Sequence, residues 1–115
     1  MTTLYGIKNC DTMKKAMKWL DAHSIDYRFH DFKKAGLDEQ TLKKWIARVG
    51  WESLVNRRGT TWRKLPEEVR ASIDETRAME LMLANPSLIK RPVLDTGETI
   101  QVGFKEEDYA ALFEK

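Results

Sequence analysis

Thr3-Leu4-Tyr5-Gly6-Ile7-Lys8-Asn9-Cys10-Asp11-Thr12-Met13-Lys14-Lys15-Ala16 is the stretch whose reading decides the fold. Thr3 to Ile7 is β-prone, and Lys8 to Asp11 is a polar turn. From Thr12 onward the apolar residues Met13, Ala16, Met17 and Leu20 recur at helical spacing. That helix is expected to end near His23-Ser24, and Tyr27-Arg28-Phe29-His30-Asp31 then alternates as a second strand. Two strands joined by one helix imply a parallel pair with a right-handed crossover.

Further along, Leu37-Asp38 reads as a helix start with Asp38 as N-cap, although Thr41 leaves the capping box incomplete. Leu42, Trp45, Ile46 and Val49 mark one helical face that Gly50 ends, and Trp51, Leu54 and Val55 continue the apolar pattern. Asn56 to Thr61 reads as a loop, Pro66-Glu67-Glu68 as a first helical turn, and Ile73 to Ala84 as a helix stopped by Asn85-Pro86. Ala78, Met79, Leu81 and Met82 are its inward candidates. Pro92 to Asp95 and Thr99 to Val102 flank Thr96-Gly97-Glu98 as a β-hairpin, and Glu106 to Phe113 closes with a helix carrying Tyr109, Leu112 and Phe113. The order gives an α/β, thioredoxin-like plan: a mixed sheet with helices on both faces and an inserted helical lobe. The expectation is a single domain over residues 1–115, with the insertion at about 35–85.

With 115 residues, 42% of them hydrophobic, the chain is long enough to bury a core without covalent staples. A net charge of +2 among 33% charged residues is a mixed surface, so direct nucleic-acid binding is not expected. One cysteine excludes an internal disulfide and favours a reducing compartment, the cytoplasm. No signal-like or membrane-length apolar run is visible, and a monomer is the simplest expectation.

Cys10 stands where a strand hands over to a helix. Unpaired N–H groups and the partial positive charge of the helix start favour a thiolate there. An ordinary thiol, with a pKa of about 8.5, is only a few per cent ionised near neutrality; a fall of about two units makes thiolate the majority form. Lys14 and Lys15 in the first turns, with Lys8 just before, oppose the helix dipole unless an anion sits among them. Position 13, where a C-x-x-C pair would place its second sulfur, is Met13, so any disulfide of Cys10 must be with another molecule. His23 falls near a helix end and His30 beside Asp31, and with one cysteine no metal site is expected. Arg57, Arg58, Trp62, Arg63 and Lys64 interleave cations with an aromatic, a pattern read first as solvated surface.

Leu4 to Ala16, quoted above, resembles the start of the ArsC/Spx family. Leu88-Ile89-Lys90-Arg91-Pro92-Val93 resembles its arginine-proline motif, Gln101-Val102-Gly103-Phe104 its late hairpin strand, and, together with Gly59 to Leu65, the whole is most like the YffB-type branch. The resemblance implies a thioredoxin-like domain, Cys10 as nucleophile, Arg91 as the anion-binding arginine beside it, and a cis Pro92 facing the cysteine. Asn9, Thr12, Lys14, Arg58 and Pro92 are then the candidate substrate-binding residues. A guanidinium can neutralise a thiolate or hold an oxyanion in its fork. Arsenate reductases of the family carry a histidine four residues before the cysteine and an arginine four after. Gly6 and Lys14 stand there, Arg57 and Arg58 are the middle arginine candidates, and Phe104 with Lys105 occupies the late arginine position. These departures count against arsenate and leave thiol exchange, which needs fewer oxyanion ligands. The expected activity is therefore a single-cysteine reductase with no bound cofactor, using glutathione or another small or protein thiol. The alternative is an Spx-like regulator that binds RNA polymerase, against which the missing C-x-x-C counts.

Overall fold

The computed structural model describes residues 2–8 and 10–114. The chain divides into two compact units, residues 1–32 with 91–115, and residues 33–90.

In the first unit, β1 (Thr3–Gly6), α1 (Asp11–Ala22) and β2 (Arg28–Asp31) are followed, after the second unit, by β3 (Val93–Asp95), β4 (Ile100–Val102) and a C-terminal helix, Glu106–Phe113. The sheet order is β2-β1-β3-β4. β1 runs parallel to β2 and antiparallel to β3, and β3 runs antiparallel to β4, so the sheet is mixed as the pattern predicted. The plan is thioredoxin-like. The alternating burial of β1 puts Leu4 and Gly6 inward. Leu4 and Leu94 meet Met13, Ala16, Trp19 and Leu20 of α1 and Tyr109 of the C-terminal helix in one core. Full burial of a leucine or methionine there contributes about 1.5–3 kcal/mol each.

Helix α1 stops at His23, whose Nδ1 lies 2.8 Å from the Trp19 carbonyl oxygen and whose ring stacks on Trp19 at 3.9 Å. The hairpin turn is held by side chains: the Gly97 N–H donates to Asp95 Oδ1 at 2.8 Å and the Thr99 N–H to Thr96 Oγ1 at 3.0 Å. Gly97 takes φ +94°, a conformation costly for any residue with a Cβ. Tyr109 is fully buried, edge-on to Trp19 and Phe104, and its hydroxyl has no hydrogen-bond partner among the described residues. Burial pushes its pKa up.

The second unit contains α2 (Glu39–Val49), three short helices α3 (Trp51–Leu54), α4 (Thr60–Arg63) and α5 (Glu67–Ala71), then α6 (Glu75–Ala84) and a 3₁₀ turn, Pro86–Leu88. The C-terminal helix of the first unit is α7. Leu42, Trp45 and Ile46 of α2, Leu54, Val55, Ala78, Met82, Leu88 and Ile89 are the buried residues of the second unit. Of the inward candidates on α6, Ala78 and Met82 are buried, while Met79 and Leu81 are only partly so. Val55 and Ile89 form an antiparallel bridge, flanked by the Lys90 N–H donating to the Leu54 carbonyl at 2.7 Å.

Two helix starts differ from the sequence expectation. The expected loop 56–61 runs into a helical turn, α4, because Gly59 supplies an extended N-cap. α6 starts at Glu75, two residues later than Ile73, because the Asp74 carboxylate accepts the Arg77 N–H at 2.9 Å and fixes the start there. Asp38 does stand at the N-cap of α2, but its side chain makes no capping bond.

Removing the Asp74 cap (Asp74→Ala) is expected to cost about 1 kcal/mol in urea denaturation, and Asp38→Ala less than half of that. Tyr109→Phe is expected to leave stability unchanged or raise it by about 1 kcal/mol, since no hydrogen bond is lost and a buried hydroxyl is removed; a marked loss would reveal a partner for that oxygen.

Candidate active site at Cys10

The end of β1 leads through a short polar turn into α1, and Cys10 is the N-cap, with extended backbone at φ −102°, ψ 127°. Its carbonyl accepts the first helical bond, from the Lys14 N–H at 3.0 Å. The thiol is partly exposed and packs against the core formed by Leu4, Met13 and Ala16. Its side chain makes no capping bond.

Ionised, the sulfur has much to gain. Burial raises its pKa. Against this act the Met13 N–H, a hydrogen bond from Arg91, the Thr12 N–H and the positive charge of Arg91, in decreasing order, and together they hold the pKa below the ordinary thiol value. Two sources of positive potential therefore converge, the open N–H groups of the first turn of α1 and one guanidinium.

Arg91 reaches this place through sheet register. β3 runs antiparallel to β1 with Tyr5 opposite Val93, so the residues just before Val93 lie at the end of the sheet where β1 gives way to the Cys10 turn. Arg91 is partly buried there, the Arg91–Pro92 peptide bond is cis, and Pro92 is buried with its carbonyl accepting the Gly103 N–H at 2.8 Å.

Of the candidate residues, Cys10, Thr12, Arg91 and Pro92 gather within the first unit. Asn9 lies outside the described residues. Lys14 is exposed on α1; its backbone N–H bonds the Cys10 carbonyl, and its ammonium is not among the groups that lower the thiol pKa. Asp11, the first helical residue, supplies an anion at that helix end. Arg58 belongs to the second unit, in a turn where its N–H donates to Asn56 Oδ1 at 3.2 Å. Arg57 lies over two rings of that same unit, 5.9 Å from Trp51 and 5.4 Å from Trp62, so this cation–aromatic cluster is partly satisfied internally. Phe104, at the late arginine position, packs edge-on to Tyr109 at 4.8 Å. No group of three or more His, Cys, Asp or Glu side chains that could hold a metal occurs among the described residues, and no helix among them is long and apolar enough to cross a membrane. The sequence reading missed the part played by Met13, weighed only as an absent sulfur and an inward side chain; its backbone N–H lowers the Cys10 pKa more than that of Thr12. The signal was present, since an N-cap faces the N–H groups two and three residues on.

Because the folded-state pKa of Cys10 is depressed, ionisation adds stability that is fully present above the unfolded pKa of about 8.5 and is lost as pH falls through the folded-state value. The stability gap between wild type and Cys10→Ser is expected to widen as pH rises through that window and to stay flat below it. Arg91→Ala is expected to move the pH midpoint of Cys10 alkylation by iodoacetamide upward; an unmoved midpoint would remove Arg91 from the site.

Comparison with known proteins finds likenesses along nearly the whole chain. The model of the ArsC family matches residues 5–112. The solved structure of a YffB protein superposes with a TM-score of 0.92 at 56% identity, covering 96% of this chain and 97% of the other. An arsenate reductase (ArsC) related protein from Brucella melitensis superposes with a TM-score of 0.80 at 58% identity, covering 99% and 95%. The global transcriptional regulator Spx of Streptococcus agalactiae is 28% identical over 114 residues, 97% of this chain and 82% of that protein. With the family model spanning both the Cys10 turn and the Arg91–Pro92 segment, the chain belongs to the ArsC family.

Proposed function

We propose that this protein is a thiol-dependent reductase with Cys10 as its nucleophile and glutathione as its external thiol. The observation that carries the reading is the partly exposed sulfur at the start of α1, with its pKa lowered by the Met13 and Thr12 N–H groups and by Arg91. The Cys10 thiolate attacks one sulfur of a disulfide substrate. An S–S bond forms to Cys10, the substrate's S–S bond breaks, and the departing thiolate takes a proton from solvent. A glutathione thiolate then attacks Cys10 sulfur, releasing the second half of the substrate as a thiol and leaving Cys10 joined to glutathione. A second glutathione attacks that glutathione sulfur, returns Cys10 as thiolate and leaves as glutathione disulfide. Two glutathiones are oxidised for each disulfide reduced, and no bound cofactor is required. Arg91 and the helix N–H groups hold negative charge on Cys10 at the start and end of the cycle. Thr12, Lys14, Asn9 and Pro92 are the substrate-side groups in this scheme. Arg58, in the second unit, is given no step.

The likeness to Spx favours a second reading, a regulator that binds RNA polymerase. Met13 in place of a second cysteine counts against a redox switch of the C-x-x-C kind.

Turnover of arsenate and of small disulfides with glutathione, compared between wild type and Cys10→Ser, separates the readings. Disulfide turnover is expected to fall at least a hundredfold, about 2.7 kcal/mol in activation free energy or more, with Cys10→Ser. Mass spectrometry after glutathione disulfide treatment is expected to find one glutathione on Cys10. Equal rates for the two proteins, together with capture by the C-terminal domain of the RNA polymerase α chain, would replace the reductase with the regulator.

A further inference from the structure

We propose that Gly6 and Met13 form an interlock that positions the first turn of α1 at the Cys10 sulfur, making Met13 a positioning residue for the thiolate. This rests on the reading of Cys10 as an ionised nucleophile.

Gly6 is not a glycine by conformational need. It lies in β1, paired with Asp31 of β2, and is not among the residues with positive φ. What it lacks is room. A Cβ added there would run into Met13 Sδ, come within 2.6 Å of Met13 Cε and within 3.2 Å of Met13 Cγ. The methionine side chain therefore lies directly on the bare face of the strand. A thioether normally evades such a collision by rotating, but Met13 is 1% exposed and shares a core with Leu4, Ala16, Trp19, Leu20, Leu94 and Tyr109. An added methyl group is then accommodated by displacing the turn that carries Met13.

That turn has a second occupation. The Met13 N–H, on the same residue, is the backbone donor that lowers the Cys10 pKa most, ahead of the Thr12 N–H, and Cys10 itself packs on the same core. Hydrogen bonding to an anion depends steeply on distance and angle, so a small movement of the turn weakens it while leaving the fold in place. The side chain of Met13 thus fixes its own backbone N–H against the strand that delivers Cys10. This gives position 13 a physical task in a chain without a second cysteine, and it explains why position 6 carries no side chain.

The test is the pH profile of Cys10 alkylation in the full chain. Gly6→Ala is expected to raise the Cys10 pKa by about one unit, a tenfold loss of thiolate at any fixed pH below both values. The double variant Gly6→Ala/Met13→Ala, which makes room for the new methyl group, is expected to recover at least half of that change. Leu20→Ala, a core truncation at the other end of α1, is expected to lower stability by a similar amount and leave the Cys10 pKa in place. If Gly6→Ala does not fold, Met13→Ala alone provides the measurement: the loosened turn raises the pKa, and an unchanged value overturns the proposal. A folded Gly6→Ala with wild-type pKa, or an equal rise in Leu20→Ala, also overturns it. A wild-type pKa at or above about 8.5 instead overturns the reading of Cys10 itself.

Discussion

The antiparallel pairing of β1 with β3 is the constraint on which the Cys10 end of the molecule depends. Tyr5 opposite Val93 joins the start of the chain to a strand that follows the whole second unit. Without that register, Arg91 would have no reason to approach Cys10, and the helix start would act on the sulfur alone. With it, two partial compensations for burying an anion come from opposite ends of the sequence. Neither needs to be large, because a partly exposed sulfur is only partly desolvated.

The same sheet explains why α1 can serve the site and the core together. Met13, Ala16 and Leu20 fall on one face and seal against Leu4 and Leu94, so the helix is anchored along its length. Its first turn is then packed against the core where the chemistry is proposed. An anion at an N-cap gains most when the N–H groups are preorganised, since no reorganisation opposes its formation. Core packing and thiol ionisation are in this sense one event, joined at Met13.

The second unit has its own core, built by Leu42, Trp45, Leu54, Val55, Met82 and Ile89, and its own charge arrangement, with Arg57 over Trp51 and Trp62. The strip of cations interleaved with Trp62 over residues 57–64 reads in sequence first as solvated surface. Part of that strip is used internally: a guanidinium stacks on indoles at little desolvation cost and orders the turn around α4.

The sequence by itself determined the element order, the mixed sheet, the hairpin and the candidacy of Cys10 and Arg91. Each of these follows from local pattern, from turn chemistry or from a family motif readable over a few residues. Helix starts were less legible: Asp38 reads in sequence as a cap and Asp74 does not, yet only the Asp74 carboxylate bonds a backbone N–H, because rotamer and chain approach decide that and neither is written in residue type. Tertiary structure alone decided that the Met13 N–H joins Arg91 in lowering the Cys10 pKa, that Lys14 faces solvent, and that Gly6 is bare because a thioether covers it. The physical reason is common to all three. Electrostatic stabilisation and close packing are set by distances of a few tenths of an ångström between groups, and spacing along the chain does not specify them.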